Sequence, residues 1–178
     1  MRLAARTAAP AFTATDLDGN PRALADYRGR KLLLSFYRYA SCPFCNLRIH
    51  EMRQRAAGWQ ADGMDMLVVF QSPANSIREY AVGETVEFPV IPDPERRLYA
   101  LYGTEVSWLA FAKSAGRVKD VAAAMAKGFL PGKTEGEVNQ VPADFLIDEN
   151  GIIHTAFYGA DIGDHLPVAQ IEAFVAGR

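Results

Sequence analysis

Short continuous apolar runs alternate along the chain with segments of helical periodicity, and their order predicts an architecture. Residues 31–37, Lys-Leu-Leu-Leu-Ser-Phe-Tyr, are nearly unbroken in apolar character, the pattern of a central strand covered on both faces. A helical segment follows over about residues 43–57, with Gly58 or Asp62-Gly63 as its stop. Met64 to Phe70 is the next apolar run and Gln71-Ser72-Pro73 closes it. Residues 74–82 form a short helix that Gly83 stops, and Phe88 to Ile91 is a brief strand. Asp93-Pro94 then opens a helix through about Tyr102, with proline in the first turn, where its missing N–H is not needed. This βαβαβα order predicts helices flanking a mostly parallel sheet.

The flanking segments read differently. Residues 1–11 are Ala-rich and are expected to pack loosely at an edge. Phe12 to Leu24 predicts a β-hairpin turning at Asp18-Gly19-Asn20, because Asp-Gly supplies the positive φ of a tight turn; residues 25–30 are a further turn. Residues 104–138 interrupt the alternation with helical pieces at 106–112 and 121–126, then a Pro/Gly-rich loop over 129–137. Trp108, Leu109 and Phe111 form a face that is a candidate subunit contact or groove wall, or else a cover for the sheet edge. Gln140 to Tyr158 reads as strand, Asn150-Gly151 turn and strand, so this half of the sheet is antiparallel, and residues 167–176 make an amphipathic closing helix.

Chemistry concentrates where the first central strand meets its helix. The only two cysteines stand there as Cys42-Pro43-Phe44-Cys45. Pro43 suits the first helical position, which puts Cys42 at or next to the N-cap. Unpaired backbone N–H groups and the positive end of the helix dipole there favour a thiolate. Cys45 lies one turn deeper, so the spacing assigns Cys42 as attacking thiol and Cys45 as resolving thiol. Arg38, four residues before Cys42, is a candidate cation for that thiolate or for substrate, against the alternative that it snorkels to solvent or pairs with an acid. Ser41 offers a hydroxyl to a bound substrate or simply makes a turn. Tyr37 and Tyr39 are candidate hydrogen-bond donors or packing residues. Asp144 is weighed as an aid to proton transfer and Asp148 as the start of the Asn150-Gly151 turn.

Composition narrows the classes. With 178 residues the chain suits a single domain that buries roughly 70% of its unfolded surface. A net charge of -2 without a Lys/Arg run argues against nucleic-acid and polybasic membrane sites and for small-molecule or protein-thiol partners. No apolar stretch approaches the roughly 18 residues of a membrane span, and the N-terminal segment lacks the apolar core of a signal peptide. A cytoplasmic enzyme is the expectation. Two cysteines three apart suit a reducing compartment in which the pair cycles. A structural zinc site needs about four ligands, and His50, His154 and His165 show no ligand spacing. No metal and no bound cofactor are expected.

The element order, with Cys42-Pro43-Phe44-Cys45 after an aromatic strand and Val141-Pro142-Ala143-Asp144-Phe145-Leu146-Ile147-Asp148 before Gly151, resembles the thioredoxin fold in its alkyl hydroperoxide reductase / thiol-specific antioxidant, peroxiredoxin-like version. The resemblance covers roughly residues 8–177. It implies one thioredoxin-like domain over residues 1–178, with a mixed central sheet flanked by helices, an N-terminal hairpin and a helical insertion near 104–138. It implies an antioxidant thiol oxidoreductase whose substrate is a peroxide or disulfide and whose reductant is a thioredoxin-like or glutathione system; a homodimer is a candidate assembly. Pro142 takes by resemblance the place of a cis proline facing the redox cysteines. A cis bond there would leave the backbone of Val141 free to pair with an extended thiol substrate beside Cys42. Two departures stand out. The main peroxiredoxin pattern Pro-x-x-x-Thr-x-x-Cys meets Ser35 and Tyr39 here, with Pro142 near the place of its late arginine. No distant resolving cysteine exists, so recycling runs through Cys45 or an external thiol. Slow peroxide reduction is therefore expected. The alternative reading is a non-enzymatic redox sensor switched by the same disulfide. Cys-Pro-aromatic-Cys is also similar to glutaredoxins, whose chains lack this length and hairpin.

Overall fold

The apolar run after Lys31 becomes the middle strand of a five-stranded sheet. A computed structural model describes residues 1–83 and 85–177. In it the sheet comprises β3 (Lys31–Phe36), β4 (Met64–Phe70), β5 (Val90–Pro92), β6 (Ala143–Ile147) and β7 (Ile153–Tyr158), in the order β5-β4-β3-β6-β7. β4 and β5 run parallel to their neighbours, while β6 pairs antiparallel with both β3 and β7. The expected hairpin forms as β1 (Thr13–Thr15) and β2 (Pro21–Ala23), with Gly19 at φ 82° in the turn. Asp16 holds that turn from inside, its carboxylate accepting from the amides of Asp18 and Asn20 and from the Arg22 guanidinium.

Strand alternation sorts the core into two layers. Leu32, Leu34 and Phe36 of β3 face one cluster, with Leu67, Val69, Phe145, Tyr99 and Tyr102. Leu33 and Tyr37 face the other, with Val68, Phe70, Ile49 and both cysteines. The helix over that second layer is α1 (Pro43–Ala61). Of the two stops offered, Asp62-Gly63 ends it and Gly58 does not: burying Trp59 outweighs the cost of about 1 kcal/mol for a helical glycine. The chain leaves through Asp62 and Gly63, the latter at φ 91°.

α2 (Ala74–Ile77) continues as a π-helical turn, Arg78–Val82. α3 (Arg97–Leu101) starts later than predicted because Asp93 lies outside the helix and caps it, its carboxylate accepting from the amides of Arg97 at 3.0 Å and Leu98 at 2.8 Å. In the insertion, α4 (Trp108–Lys113) is capped by Ser107, and α5 (Val118–Ala126) packs against α1. Trp108 and Leu109 are exposed, so they do not seal the sheet edge. α6 (Val168–Val175) closes the fold. The N-terminal segment is not loose: Arg6 donates to the Ile153 carbonyl, Ile153 to Thr7 and Ala9 to Gly151. It thereby pairs with the start of edge strand β7, whose backbone groups would otherwise lie open.

Candidate active site

Cys42 is the N-cap residue of α1, with φ −72° and ψ 118°, and Pro43 opens the helix. Both cysteines are free thiols and fully buried. Three sets of groups converge on the sulfurs. The Arg38 guanidinium donates through Nη1 to the Cys42 sulfur at 3.1 Å, and the Arg38 backbone N–H points at the Cys45 sulfur at 3.4 Å. The Cys45 thiol and the amides of Cys45 and Phe44 in the first helical turn also favour negative charge on the Cys42 sulfur.

Burial by itself pushes the Cys42 thiol up. The Cys45 thiol, the Arg38 charge and the two amides outweigh it and bring Cys42 down to about 6. That direction favours the thiolate of Cys42 at neutral pH. Cys45 goes the other way, raised by burial and by its bond to, and repulsion from, the Cys42 thiolate. The arrangement is an ionised nucleophile beside a protonated thiol.

Arg38 does not reach solvent; it is 2% exposed. A buried guanidinium needs compensating partners, and these are the Cys42 sulfur, the Val138 carbonyl, to which Nη2 donates, and the Tyr39 ring, 4.8 Å below Cζ. Ser41 donates its hydroxyl to the Lys133 carbonyl at 2.6 Å. The loop after α5 therefore crosses directly over the thiol site.

Two site residues escape notice in the sequence, where Gln71 and Ser72 read only as the end of a strand. Ser72 accepts from the Ala40 amide at 2.9 Å and so fixes the approach to Cys42. Gln71 donates to the Glu137 carbonyl at 2.8 Å and accepts from the Glu137 amide at 3.1 Å. A signal existed, because polar residues at the carboxyl end of parallel strands line the ligand crevice of open α/β sheets.

The segment before β6 departs from expectation. No cis peptide bond occurs among the described residues, so Pro142 follows a trans bond. Nor is the Val141 backbone free: its amide donates to the Glu105 carbonyl at 2.9 Å and its carbonyl accepts from the buried Gln140 side chain at 2.8 Å. The insertion saturates the pairing that an extended substrate would have used.

Asp144 is buried and hydrogen-bonded to His165 Nδ1 at 3.0 Å, and it accepts from the Leu166 amide at 2.8 Å. Burial raises its carboxyl, but His165 and Arg48 outweigh that and the net shift is downward. The His165 ring lies 4.7 Å from that of Tyr37. Asp144 thus ties the chain ahead of α6 to the sheet, and no hydrogen bond joins it to either sulfur. Asp148 accepts from the amides of Asn150 and Ile152, as a turn residue does. A cavity of about 500 Å³ beside α1, bordered by Phe44, Arg48, Arg117 and His165, is lined by neither cysteine. Among the described residues no group of three or more His, Cys, Asp or Glu side chains could hold a metal ion, and no helix is long and apolar enough to cross a membrane.

Comparison with known proteins gives the same picture. The profile of the AhpC/TSA family matches residues 5–156. A provisionally named peroxiredoxin of Mycobacterium tuberculosis is 27% identical over 165 residues, 93% of this chain and 91% of the relative. Peroxiredoxin Bcp of Escherichia coli is 25% identical over 157 residues, covering 88% and 86% of the two chains. Among solved structures, the peroxidoxin BcpB of Mycobacterium tuberculosis superposes with a TM-score of 0.68 at 16% identity, over 98% of this chain and 96% of that one. The fold is thioredoxin-like, with a mixed five-stranded sheet and an added two-stranded hairpin.

Proposed function

The chain belongs to the AhpC/TSA family and is a thiol-dependent antioxidant oxidoreductase, and from that premise we propose that Cys42 is its attacking thiol and Cys45 its resolving thiol. The observation that carries the assignment is the 3.1 Å approach of the Arg38 guanidinium to the Cys42 sulfur at the start of α1, with Cys45 one helical turn inside.

With a peroxide, the Cys42 thiolate attacks one oxygen and the O–O bond breaks. The departing oxygen takes the electron pair and a proton, and Cys42 becomes a sulfenic acid. Cys45 then attacks that sulfur, its proton leaves with the hydroxyl as water, and the two sulfurs join. With a disulfide, Cys42 displaces one thiolate to form a mixed disulfide and Cys45 displaces the other. Arg38 and Ser41 contact the incoming group once the loop above them moves. Two electrons from an external dithiol or from two glutathione-type thiols restore the pair. We place the chain as a single domain in a reducing, cytoplasmic compartment, on its cysteine usage. The exposed Trp108/Leu109 face is a candidate homodimer contact.

Stopped-flow mixing of reduced protein with hydrogen peroxide, an organic hydroperoxide and a model disulfide tests the reading. Peroxide should react slowly, since Ser35 and Tyr39 stand where the main peroxiredoxin pattern has Pro and Thr. Cys42→Ser should abolish turnover and Cys45→Ser should trap the adduct; turnover surviving the loss of Cys42 rejects the assignment. Stoichiometric oxidation without steady-state turnover would instead favour a redox sensor, a reading to which the complete burial of both sulfurs lends support.

A further inference from the structure

The loop over residues 131–140 does more than fill space. It has no helix or strand between 131 and 137, yet it is held at several points by side chains from the rim of the thiol site. Ser41 takes the Lys133 carbonyl, Arg38 the Val138 carbonyl, and Gln71 both the N–H and the C=O of Glu137. Ser76 adds a bond to the Glu135 carboxylate at 2.8 Å. All but the last of these grip main-chain atoms. Glu137 opens a turn, its C=O also accepting from the Gln140 amide at 3.2 Å, and the Gln71 carboxamide offers one donor and one acceptor to match its main-chain groups. The grip thus selects for polypeptide backbone, with glycine where the strap passes closest, at Gly132 and Gly136. A small peroxide has no such pair of groups.

We propose that residues 131–140 are a tethered strap occupying the groove beside Cys42, and that an extended polypeptide segment carrying a cysteine disulfide displaces it by taking over the Gln71, Ser41 and Arg38 contacts. This deepens the thiol reading above and rests on it. While the strap is seated the Cys42 sulfur is fully buried, so the strap must shift before any substrate reaches it, and a polypeptide can replace its contacts where a small molecule cannot. The strap itself is shaped for close seating. A Cβ on Gly136, which has φ 69°, would stand 2.8 Å from Gln71 Cδ, and a Cβ on Gly132 would stand 3.0 Å from that of Ser41.

The test uses the full chain with Cys45→Ser, so that Cys42 alone reacts and its mixed disulfide accumulates. Two probes are compared, the 2-pyridyl disulfide of a cysteine-containing decapeptide and that of mercaptoethanol, by release of pyridine-2-thione. In each, the thiolate forms a bond to the probe's aliphatic sulfur while the pyridyl sulfur leaves with the electron pair. The peptide should react about tenfold faster, the worth of one or two backbone hydrogen bonds. Gln71→Leu should speed the small probe by a similar factor and erase the peptide's lead, because strap and peptide lose the same partner. Gly136→Ala, which loosens the strap but keeps Gln71, should speed both probes and preserve the lead. Equal rates for the two probes, or no acceleration of the small probe in either variant, overturns the strap. If neither probe reacts with the folded protein although both label it when unfolded, the nucleophile assignment fails instead.

Discussion

The two faces of the central sheet are made from alternate residues of the same strands, yet they hold different kinds of group. On one side Phe36, Tyr99, Tyr102 and Phe145 form an aromatic layer, with Phe36 centroids 5.2 Å from Tyr99 and 5.9 Å from Phe145. Its hydroxyls are used up on backbone carbonyls: Tyr99 donates to Tyr37 at 2.6 Å and Tyr102 to Pro10 at 2.9 Å. On the other side lie Cys42, Cys45 and the Asp144–His165 pair, with Arg38 at the end of the strand between the two layers. Buried ionised groups return little net stability because desolvation opposes their attraction. The aromatic face holds no group of the thiol site and contributes stability alone, whereas on the other face the apolar residues enclose the thiols. Stability and chemistry should therefore respond to different substitutions.

The largest effect that would sharpen this contrast is on the aromatic side. Phe145→Ala should cost about 3–5 kcal/mol in urea unfolding, while the Cys42 thiolate, followed by its ultraviolet absorbance, still titrates near 6. If the titration moves with the stability, the faces are not separable.

Arg38→Met should do the reverse. Cys42 should move from about 6 toward the range of ordinary cysteine, about 8.5, and its reaction with a model disulfide at pH 7 should slow by about tenfold. An unchanged titration curve would show that the helix start and the Cys45 thiol suffice without the guanidinium.

A smaller effect is the pH dependence of stability in the reduced protein. A thiol whose folded value is lowered to about 6 adds stability as pH rises from about 6 to the unfolded value near 8.5, and that stability is lost again as pH falls through 6. Above about 8.5 the gain stops growing and reverses, because Cys45 ionises in the unfolded chain while its folded value is raised. Urea midpoints of reduced protein should therefore rise between pH 6 and 8, and the same series on Cys42→Ser should rise less. Parallel series would show that Cys42 is not the group being titrated.

The smallest expected effect is that of Tyr102→Phe, which removes one hydroxyl bond to Pro10 and should cost about 1 kcal/mol with no change in thiol reactivity. A rate change would reveal coupling across the sheet.

Local pattern made much of this legible. The run Lys31 to Tyr37 announced a doubly covered strand, Asp18-Gly19 a hairpin turn, and Pro43 after Cys42 a helix with a thiol at its cap; each depends on residues within a few positions of one another. Misjudged features had distant partners. The first residues, read as loose, are ordered by an edge near Ile153, and the choice between Gly58 and Asp62-Gly63 as the stop of α1 fell to the burial of Trp59. Val141 and Pro142, read by resemblance as an open cis element, are closed by Glu105 and Gln140.

By itself the sequence determined the order of strands and helices, the place of the two thiols at a helix start and the cation four residues ahead of them, since periodicity, caps and spacing act over one or two turns of chain. Only the tertiary structure decided that Arg38 is buried on the Cys42 sulfur, that Gln71 and Ser72 belong to the site, and that a loop about 90 residues downstream of Ser41 lies across it. The reason is physical: a buried charge or carboxamide must find a partner, and which backbone supplies it depends on how distant segments pack.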